Sequence, residues 1–292
     1  MLAASGAVQC RRMAAHETSP DYSLIDRSGA GGYLFFPRPD PVPPPPGATD
    51  HEIPAGDGIS LGARFYGFDP ALPTVLYFHG NGEVASDHDG IAPFYREAGA
   101  NLLIVEFRGY GRSGGQPTFA ALAGDAAPVA EWFHSFLDLE GYKAARFVMG
   151  RSMGGNPALE IAANHPAGFR GLIMESGATN LRRLVARLGL PIHEGEGAEL
   201  VEAHDAKIRR IRLPVLIIHG EGDELIPLDH AAGLYDMLDG TERELVVIPG
   251  AGHKRHPLGG PPPVFRGDRC LHRPSRWRRV NCCRRLHSRE AP

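Results

Sequence analysis

Long apolar runs and cysteine are both scarce in this chain of 292 residues. No apolar run reaches the roughly 18–20 residues that a membrane-spanning helix needs. The N-terminus also lacks the apolar core and the small-residue cleavage site of a signal peptide. The four cysteines lie outside the segments that look folded, and none has the spacing of a zinc site: Cys10, Cys270, Cys282 and Cys283. We therefore expect a cytoplasmic protein with unpaired thiols and no integral membrane segment.

Nucleotide-binding motifs are missing as well. The glycine-rich stretch RGYGRSGG (108–115) lacks the lysine and hydroxyl residue of a phosphate-binding P-loop, and no dinucleotide fingerprint follows a strand. No set of aromatic residues suits base stacking. We expect no cofactor, no metal and no nucleic-acid partner. The pattern predicts no oligomeric state.

The two ends of the chain differ in composition from its middle. Residues 1–48 show little pattern, and PRPDPVPPPPG (37–47) predicts a stiff, extended polyproline linker after a poorly ordered N-terminal segment. From residue 258 to 292 nine arginines stand against two acidic residues, although the whole chain has a net charge of −3. We expect one folded domain over 49–257 and a disordered basic tail.

Apolar runs bounded by glycine alternate with helical patterns throughout the folded domain. TVLYFHG (74–80), NLLIVEFRG (101–109) and PVLIIHG (214–220) are typical of buried parallel strands. Helical patterns lie between such runs, and a hairpin around Gly56–Gly58 precedes them. Pro128 predicts a kink or a restart within one long helical stretch. The alternation predicts an α/β fold with a mostly parallel central sheet flanked by helices.

One connection is too long for an ordinary loop. Residues 177–213 carry two helical patterns and many charges, which predicts a small helical lid. Its apolar positions allow two interpretations, contact with an acyl group or packing of the lid onto the body. They are Leu184, Val185, Leu188, Leu190 and Ile192.

The sequence GRSMG (150–154) fits the G-x-S-x-G nucleophile elbow, a tight turn between a strand and a helix. An apolar strand pattern precedes it and a helical pattern follows it, which is the context that the motif requires. Such a turn needs small residues two before and two after the serine, and it exposes the serine Oγ above the sheet. Ser152 is therefore the predicted nucleophile.

A serine nucleophile needs a base and an acid that orients the base. His253 follows the last predicted strand in PGAGH and is the predicted base, with His256 as its alternative. Asp223 follows the preceding strand and is the predicted acid. Three rival carboxylates remain for that role: Glu175, Glu221 and Glu224.

In this arrangement the chain resembles the α/β-hydrolase superfamily, and in particular its small-lid cytosolic serine hydrolases. These include bacterial proteins with the motifs HGNGE and GRSMGG and eukaryotic protein-depalmitoylating members. The resemblance extends over residues 50–253. It implies an oxyanion hole made by the backbone N–H groups of Met153 and Asn81, with Gly82 as an alternative donor. His79 is expected to support that turn through a hydrogen bond.

The resemblance implies a serine esterase or thioesterase that acts on a small or acyl-chain substrate through an acyl-enzyme. Two alternatives remain open. One is a peptidase-like hydrolase of the same fold, and the other is a catalytically weak binding or receptor protein on a hydrolase scaffold. The fold alone does not separate them, because specificity depends on the lid and the pocket.

The C-terminal sequence departs from the family, whose members end in an amphipathic helix after the catalytic histidine. We hypothesise a one-base frameshift near Lys254. A synonymous choice of codons for the following residues reads, in the neighbouring frame, as a sequence with apolar residues at helical spacing. We expect resequencing of the gene from independent isolates to reveal the extra or missing base. An unbroken reading frame in all of them would contradict the hypothesis.

Overall fold

The computed structural model describes residues 20–29 and 31–253. Residues 1–19, the basic tail at 258–292 and the alternative base His256 lie outside the described residues. The expected loss of the C-terminal helix and the frameshift near Lys254 also fall there.

A sheet of eight strands forms the centre of the described part of the chain, in the order β1-β2-β4-β3-β5-β6-β7-β8. The first two strands form the predicted antiparallel hairpin, β2 pairs antiparallel with β4, and all other neighbours are parallel. The strands are β1 Ala48–Pro54, β2 Ser60–Tyr66, β3 Thr74–Phe78, β4 Asn101–Val105, β5 Arg146–Arg151, β6 Phe169–Glu175, β7 Val215–Gly220 and β8 Arg243–Ile248. The predicted mostly parallel sheet is confirmed.

Helices connect most of the strands. In chain order they are α1 Ser23–Arg27, α2 Gly31–Leu34, α3 Ala92–Glu97, α4 Phe119–Gly124, α5 Ala126–Leu139, α6 Gly155–Asn164, α7 Leu181–Arg187, α8 Gly195–Arg209 and α9 Asp229–Met237. Within the described ranges, no helix combines the length and apolar character needed to cross a membrane.

Strand β3 shows why the apolar runs become central strands. All five of its residues are buried, and alternate side chains point to opposite faces of the sheet. Leu76 and Phe78 belong to a large hydrophobic core on one face, whereas Val75 and Tyr77 belong to a smaller core on the other. A strand covered on both faces needs apolar residues at every position, which is why β3 reads as a continuous apolar run.

The long helical stretch after β4 restarts slightly earlier than expected. Helix α4 ends at Gly124 and α5 begins at Ala126, so Pro128 lies in the first turn of α5. A proline is tolerated there because the first-turn N–H groups have no partner within the helix. The backbone N–H of Asp125 donates to Ala121 O and thereby closes the preceding helix.

The predicted lid segment contains two helices, α7 and α8. Of the five apolar positions named above, Val185 is fully buried, and the other four are partly buried against the larger core: Leu184, Leu188, Leu190 and Ile192. Of the two interpretations, the structure therefore shows packing of these side chains onto the body.

The N-terminal segment differs from the poor order that the sequence predicts, from Pro20 onward. Ile25 of α1 is fully buried, and the Tyr22 hydroxyl lies 2.8 Å from His204 Nδ1 in α8. Lys207 Nζ, also in α8, donates to Tyr22 Oη at 2.6 Å and to Glu160 Oε2 at 2.8 Å. The two contacts of Tyr22 join residues more than 180 positions apart, and no local sequence pattern predicts them.

The protonation of this cluster follows from burial. Burial, together with the nearby charge of Lys207, lowers the pKa of His204 to about 3, so the ring is neutral. Its Nε2 lies 3.2 Å from Thr179 O, which can only accept a hydrogen bond. Nε2 therefore carries the proton, and Nδ1 accepts from Tyr22. Every polar group in the cluster has a partner.

We expect Lys207→Ala to lower the free energy of unfolding by about 3 kcal/mol, because it leaves the Glu160 carboxylate poorly compensated. The Lys207 side chain is only 1% exposed, so water does not replace it easily. Urea denaturation followed by circular dichroism measures the loss.

Arg209→Ala is the matched control, since Arg209 is an exposed cation on the same helix. Its removal should change the unfolding free energy by no more than about 0.5 kcal/mol. Equal losses in the two variants would contradict a stabilising role for the buried cluster.

Candidate active site

Four chain segments meet at the carboxyl edge of the parallel strands. They follow β3, β5, β7 and β8, and they carry Asn81, Ser152, Asp223 and His253 respectively. Because parallel strands end at the same edge of a sheet, residues far apart in sequence come together there.

The turn between β5 and α6 has the strained geometry of a nucleophile elbow. Ser152 has a φ of 51°, which lies in the left-handed region that residues with a side chain seldom adopt. A Cβ on Gly150 would lie 2.3 Å from Gly154 O, and a Cβ on Gly154 would lie 2.2 Å from Phe78 O. Glycine is therefore required two residues before and two after the serine, as the motif predicts.

The structure brings the three predicted catalytic side chains into contact. His253 Nε2 lies 3.2 Å from Ser152 Oγ, and His253 Nδ1 lies 2.8 Å from Asp223 Oδ2. An ionised carboxylate only accepts hydrogen bonds, so the His253 proton belongs on Nδ1 and Nε2 is left free to accept. The ring is thus oriented with its basic nitrogen toward the serine hydroxyl.

The Asp223 carboxylate is held rigidly. Its other oxygen, Oδ1, accepts the backbone N–H groups of Leu225 at 3.1 Å and Ile226 at 2.8 Å. The side chain is fully buried, so these hydrogen bonds take the place of water.

The rival carboxylates lie elsewhere. Glu175 faces Arg151, with 3.5 Å between Oε1 and Nε. Glu221 and Glu224 are exposed, and Glu221 accepts the Gly250 backbone N–H at 3.2 Å. Among these candidates only Asp223 contacts His253.

The predicted oxyanion donors lie on two adjoining turns. Met153 follows the serine in a short 3₁₀ turn, and Asn81 follows β3. The close approach of Gly154 to Phe78 O places the elbow against the end of β3. Gly82, the alternative donor, has a φ of 78° within the same turn as Asn81.

His79 supports the turn after β3, as expected. Its Nδ1 lies 2.8 Å from Gly80 O, and because a carbonyl only accepts, Nδ1 carries the proton. Burial lowers the pKa of His79 to about 4, so the ring is neutral near pH 7.

The Asn81 side chain ties this turn to the N-terminal segment, which sequence reasoning missed. Its Oδ1 accepts the Phe36 N–H at 3.0 Å and the Tyr110 hydroxyl at 2.5 Å, while Nδ2 donates to Leu34 O at 2.7 Å. Arg38 Nε donates to Gly82 O at 2.9 Å. Segment 34–38 therefore contacts both residues of the predicted oxyanion turn.

Sequence reasoning also missed Arg151 and Glu83, which form an ion pair beside the serine. The sequence did contain a signal for this pair. HGNGE follows β3 and GRS ends β5, and these strands are neighbours in register with Phe78 opposite Gly150. Arg151 is the last residue of β5 and Glu83 follows the end of the adjacent β3, so their opposite charges lie within reach of each other.

Within residues 20–29 and 31–253, no group of three or more His, Cys, Asp or Glu side chains could hold a metal ion. The arrangement supports acid–base and nucleophilic chemistry by protein groups: a serine, a histidine poised to accept its proton and a carboxylate that orients the histidine.

Comparison with known proteins gives related sequences in bacteria and eukaryotes. The Hydrolase_4 family model, described as serine aminopeptidase, S33, matches residues 69–194. The Escherichia coli (strain K12) protein YfhR is 29% identical over 232 residues, which cover 75% of this chain and 79% of YfhR. The Schizosaccharomyces pombe protein bem46 is 30% identical over 194 residues, covering 64% of this chain and 63% of bem46.

Solved structures share the fold. Est1E from Butyrivibrio proteoclasticus, with ferulic acid bound, superposes with a TM-score of 0.57 at 21% identity, covering 70% of this chain and 90% of Est1E. The Pyrococcus furiosus esterase Pf2001 gives a TM-score of 0.58 at 20% identity, covering 75% of this chain and 91% of the esterase.

Proposed function

We propose that this chain is a serine hydrolase of the α/β-hydrolase superfamily, and that it cleaves carboxylic esters or thioesters through an acyl-enzyme. The observation that carries the proposal is the continuous contact from Ser152 Oγ through His253 to the buried Asp223. A solvated loop histidine would not be held between a serine and a carboxylate in this way.

In the proposed mechanism His253 Nε2 takes the Ser152 proton as Oγ attacks the acyl carbonyl carbon. The carbonyl oxygen becomes an oxyanion, and the backbone N–H groups of Met153 and Asn81 stabilise it, with Gly82 as the alternative donor. The loss of one such donor typically costs about 3–4 kcal/mol of transition-state stabilisation. His253 then protonates the leaving group, and water hydrolyses the acyl-enzyme with the same base.

Apolar side chains around the site favour an acyl or aromatic ester as the substrate. Phe36 is 62% exposed and lies beside the turn after β3. A Cβ added to Gly82 in that turn would lie 3.7 Å from the Phe36 Cβ. Leu225 is also 62% exposed and lies two residues beyond Asp223. The name of the Pf2001 esterase and the ferulic acid bound to Est1E agree with this substrate class.

A peptidase-like activity is the second candidate. The description of the matching family as a serine aminopeptidase favours it. Aminoacyl p-nitroanilides test it directly, because they offer an amide bond next to a free ammonium group. Turnover of these amides faster than that of any p-nitrophenyl ester would move the assignment to a peptidase.

We expect Ser152→Ala to abolish hydrolysis of p-nitrophenyl esters and to leave the unfolding free energy close to that of the wild type. The alanine variant removes the nucleophile and leaves a methyl group in the same turn. A series of acyl chain lengths defines the substrate preference, and a fluorophosphonate probe should label the wild type on Ser152 only. A folded wild type without an adduct would favour the binding-protein alternative.

We expect Asp223→Asn to lower kcat by about 10⁴-fold, since an amide in that position favours the wrong histidine tautomer. The matched control is Glu175→Gln, which changes a partly buried carboxylate that faces Arg151 rather than His253. Steady-state kinetics of both variants on one ester show which carboxylate orients His253. A larger loss in Glu175→Gln would move the orienting acid to the end of β6.

A further inference from the structure

Arg151 contacts groups from three separate segments of the active site. It lies directly before Ser152, and its side chain is only 14% exposed. One guanidinium nitrogen donates to Glu83, another donates to the backbone carbonyl of His253 at 2.9 Å, and Nε lies 3.5 Å from Glu175 Oε1. The residue before the nucleophile therefore holds the backbone of the predicted base.

Glu83 extends the same connection to the predicted oxyanion turn. While Oε1 accepts from Arg151, Oε2 accepts the Gly80 N–H at 2.8 Å, one residue before Asn81. His88 Nε2 lies 3.5 Å from the same Oε2. A single carboxylate thus links the turn after β3 to the arginine beside the serine.

The charges of the pair hold it together in spite of its burial. Burial alone would raise the pKa of Glu83, but the adjacent His88 and the charge of Arg151 hold that pKa well below its ordinary value. Both partners are therefore charged near pH 7. Removal of Arg151 would leave two largely buried carboxylates, Glu83 and Glu175, without the positive charge that lies between them.

We propose that Arg151 and Glu83 form a positioning pair that holds the His253 loop and the turn at Gly80–Asn81 in place relative to Ser152. The hydrogen bonds of the pair go to backbone groups, Gly80 N–H and His253 O, rather than to the Ser152 hydroxyl or the His253 ring. The proposal rests on the proposed hydrolase function and extends it to two residues outside the serine, histidine and aspartate.

Only arginine suits this position. Its planar guanidinium donates in several fixed directions at once, so it can reach Glu83 and the His253 carbonyl together. A lysine keeps the charge, but its single ammonium group on a flexible chain cannot hold both acceptors in one geometry. Arg151→Lys therefore separates the charge of the residue from its positioning role.

The test compares Arg151→Lys with the double variant Arg151→Met, Glu83→Gln, which removes one buried charge of each sign. We expect kcat on a p-nitrophenyl ester to fall about 10- to 100-fold in both, the usual cost of displacing catalytic groups by about 1 Å. KM should stay within about twofold, because the substrate contacts are unchanged.

Arg146→Gln is the matched control. Arg146 lies at the opposite end of β5, its side chain is 12% exposed, and it also forms an ion pair, with Asp138. The control should lose thermal stability but keep kcat within about twofold of the wild type. Equal kcat in Arg151→Lys and wild type, or an equal loss in Arg146→Gln, would overturn the proposal.

A second measurement does not depend on hydrolysis. The His253 Nδ1 proton shared with Asp223 should give a low-field ¹H NMR resonance in ¹⁵N-histidine-labelled full-length protein, assigned by its loss in His253→Ala. We expect exchange broadening of this resonance in Arg151→Lys and a sharp signal in Arg146→Gln. A sharp signal in Arg151→Lys, or none in the wild type, would contradict the positioning role. Failure of the ester and fluorophosphonate assays would instead contradict the hydrolase function.

Discussion

The tight turn at Ser152 is the constraint on which the rest of the site depends. A positive φ at a residue with a side chain costs of order 1–3 kcal/mol and persists only where the surroundings enforce it. Here the enforcement comes from β5, held between β3 and β6, and from the contact of Gly154 with the backbone of β3. The strained backbone keeps the serine at the sheet edge, where the segments after β3, β7 and β8 reach it.

Around this turn, buried polar groups form hydrogen bonds that hold the loop residues in place. Loops are mobile unless side-chain hydrogen bonds or packing hold them, and the segments after β3, β7 and β8 are all loops. Asp223 is fixed by two backbone N–H groups, Asn81 by three hydrogen bonds to other segments, and the His253 carbonyl by Arg151. The segments around Ser152 are thus held in place by hydrogen bonds to neighbouring side chains and backbone groups.

Features with a local pattern could be predicted from the sequence, and features made by distant contacts could not. Strands such as β3 could be predicted because burial on both faces requires a continuous apolar run. The turn at Ser152 could be predicted because it requires glycine two residues before and two after the serine. The Arg151–Glu83 pair was missed because charged residues beside glycine look like ordinary solvated loop residues. The packing of Tyr22 against His204 and Lys207 was missed because nothing near Tyr22 in the sequence identifies its partner.

That last contact bears on how the chain folds as it is synthesised. Tyr22 and His204 are 182 residues apart, and a ribosome adds about 5–20 residues per second, so the partner of α1 is made about 10–40 s after α1 itself. Until then Ile25 and its neighbours have no α8 to pack against. The contact of α1 with α8 is therefore a late step of folding, and it follows the contact of α1 with the earlier-made α4 at Phe119.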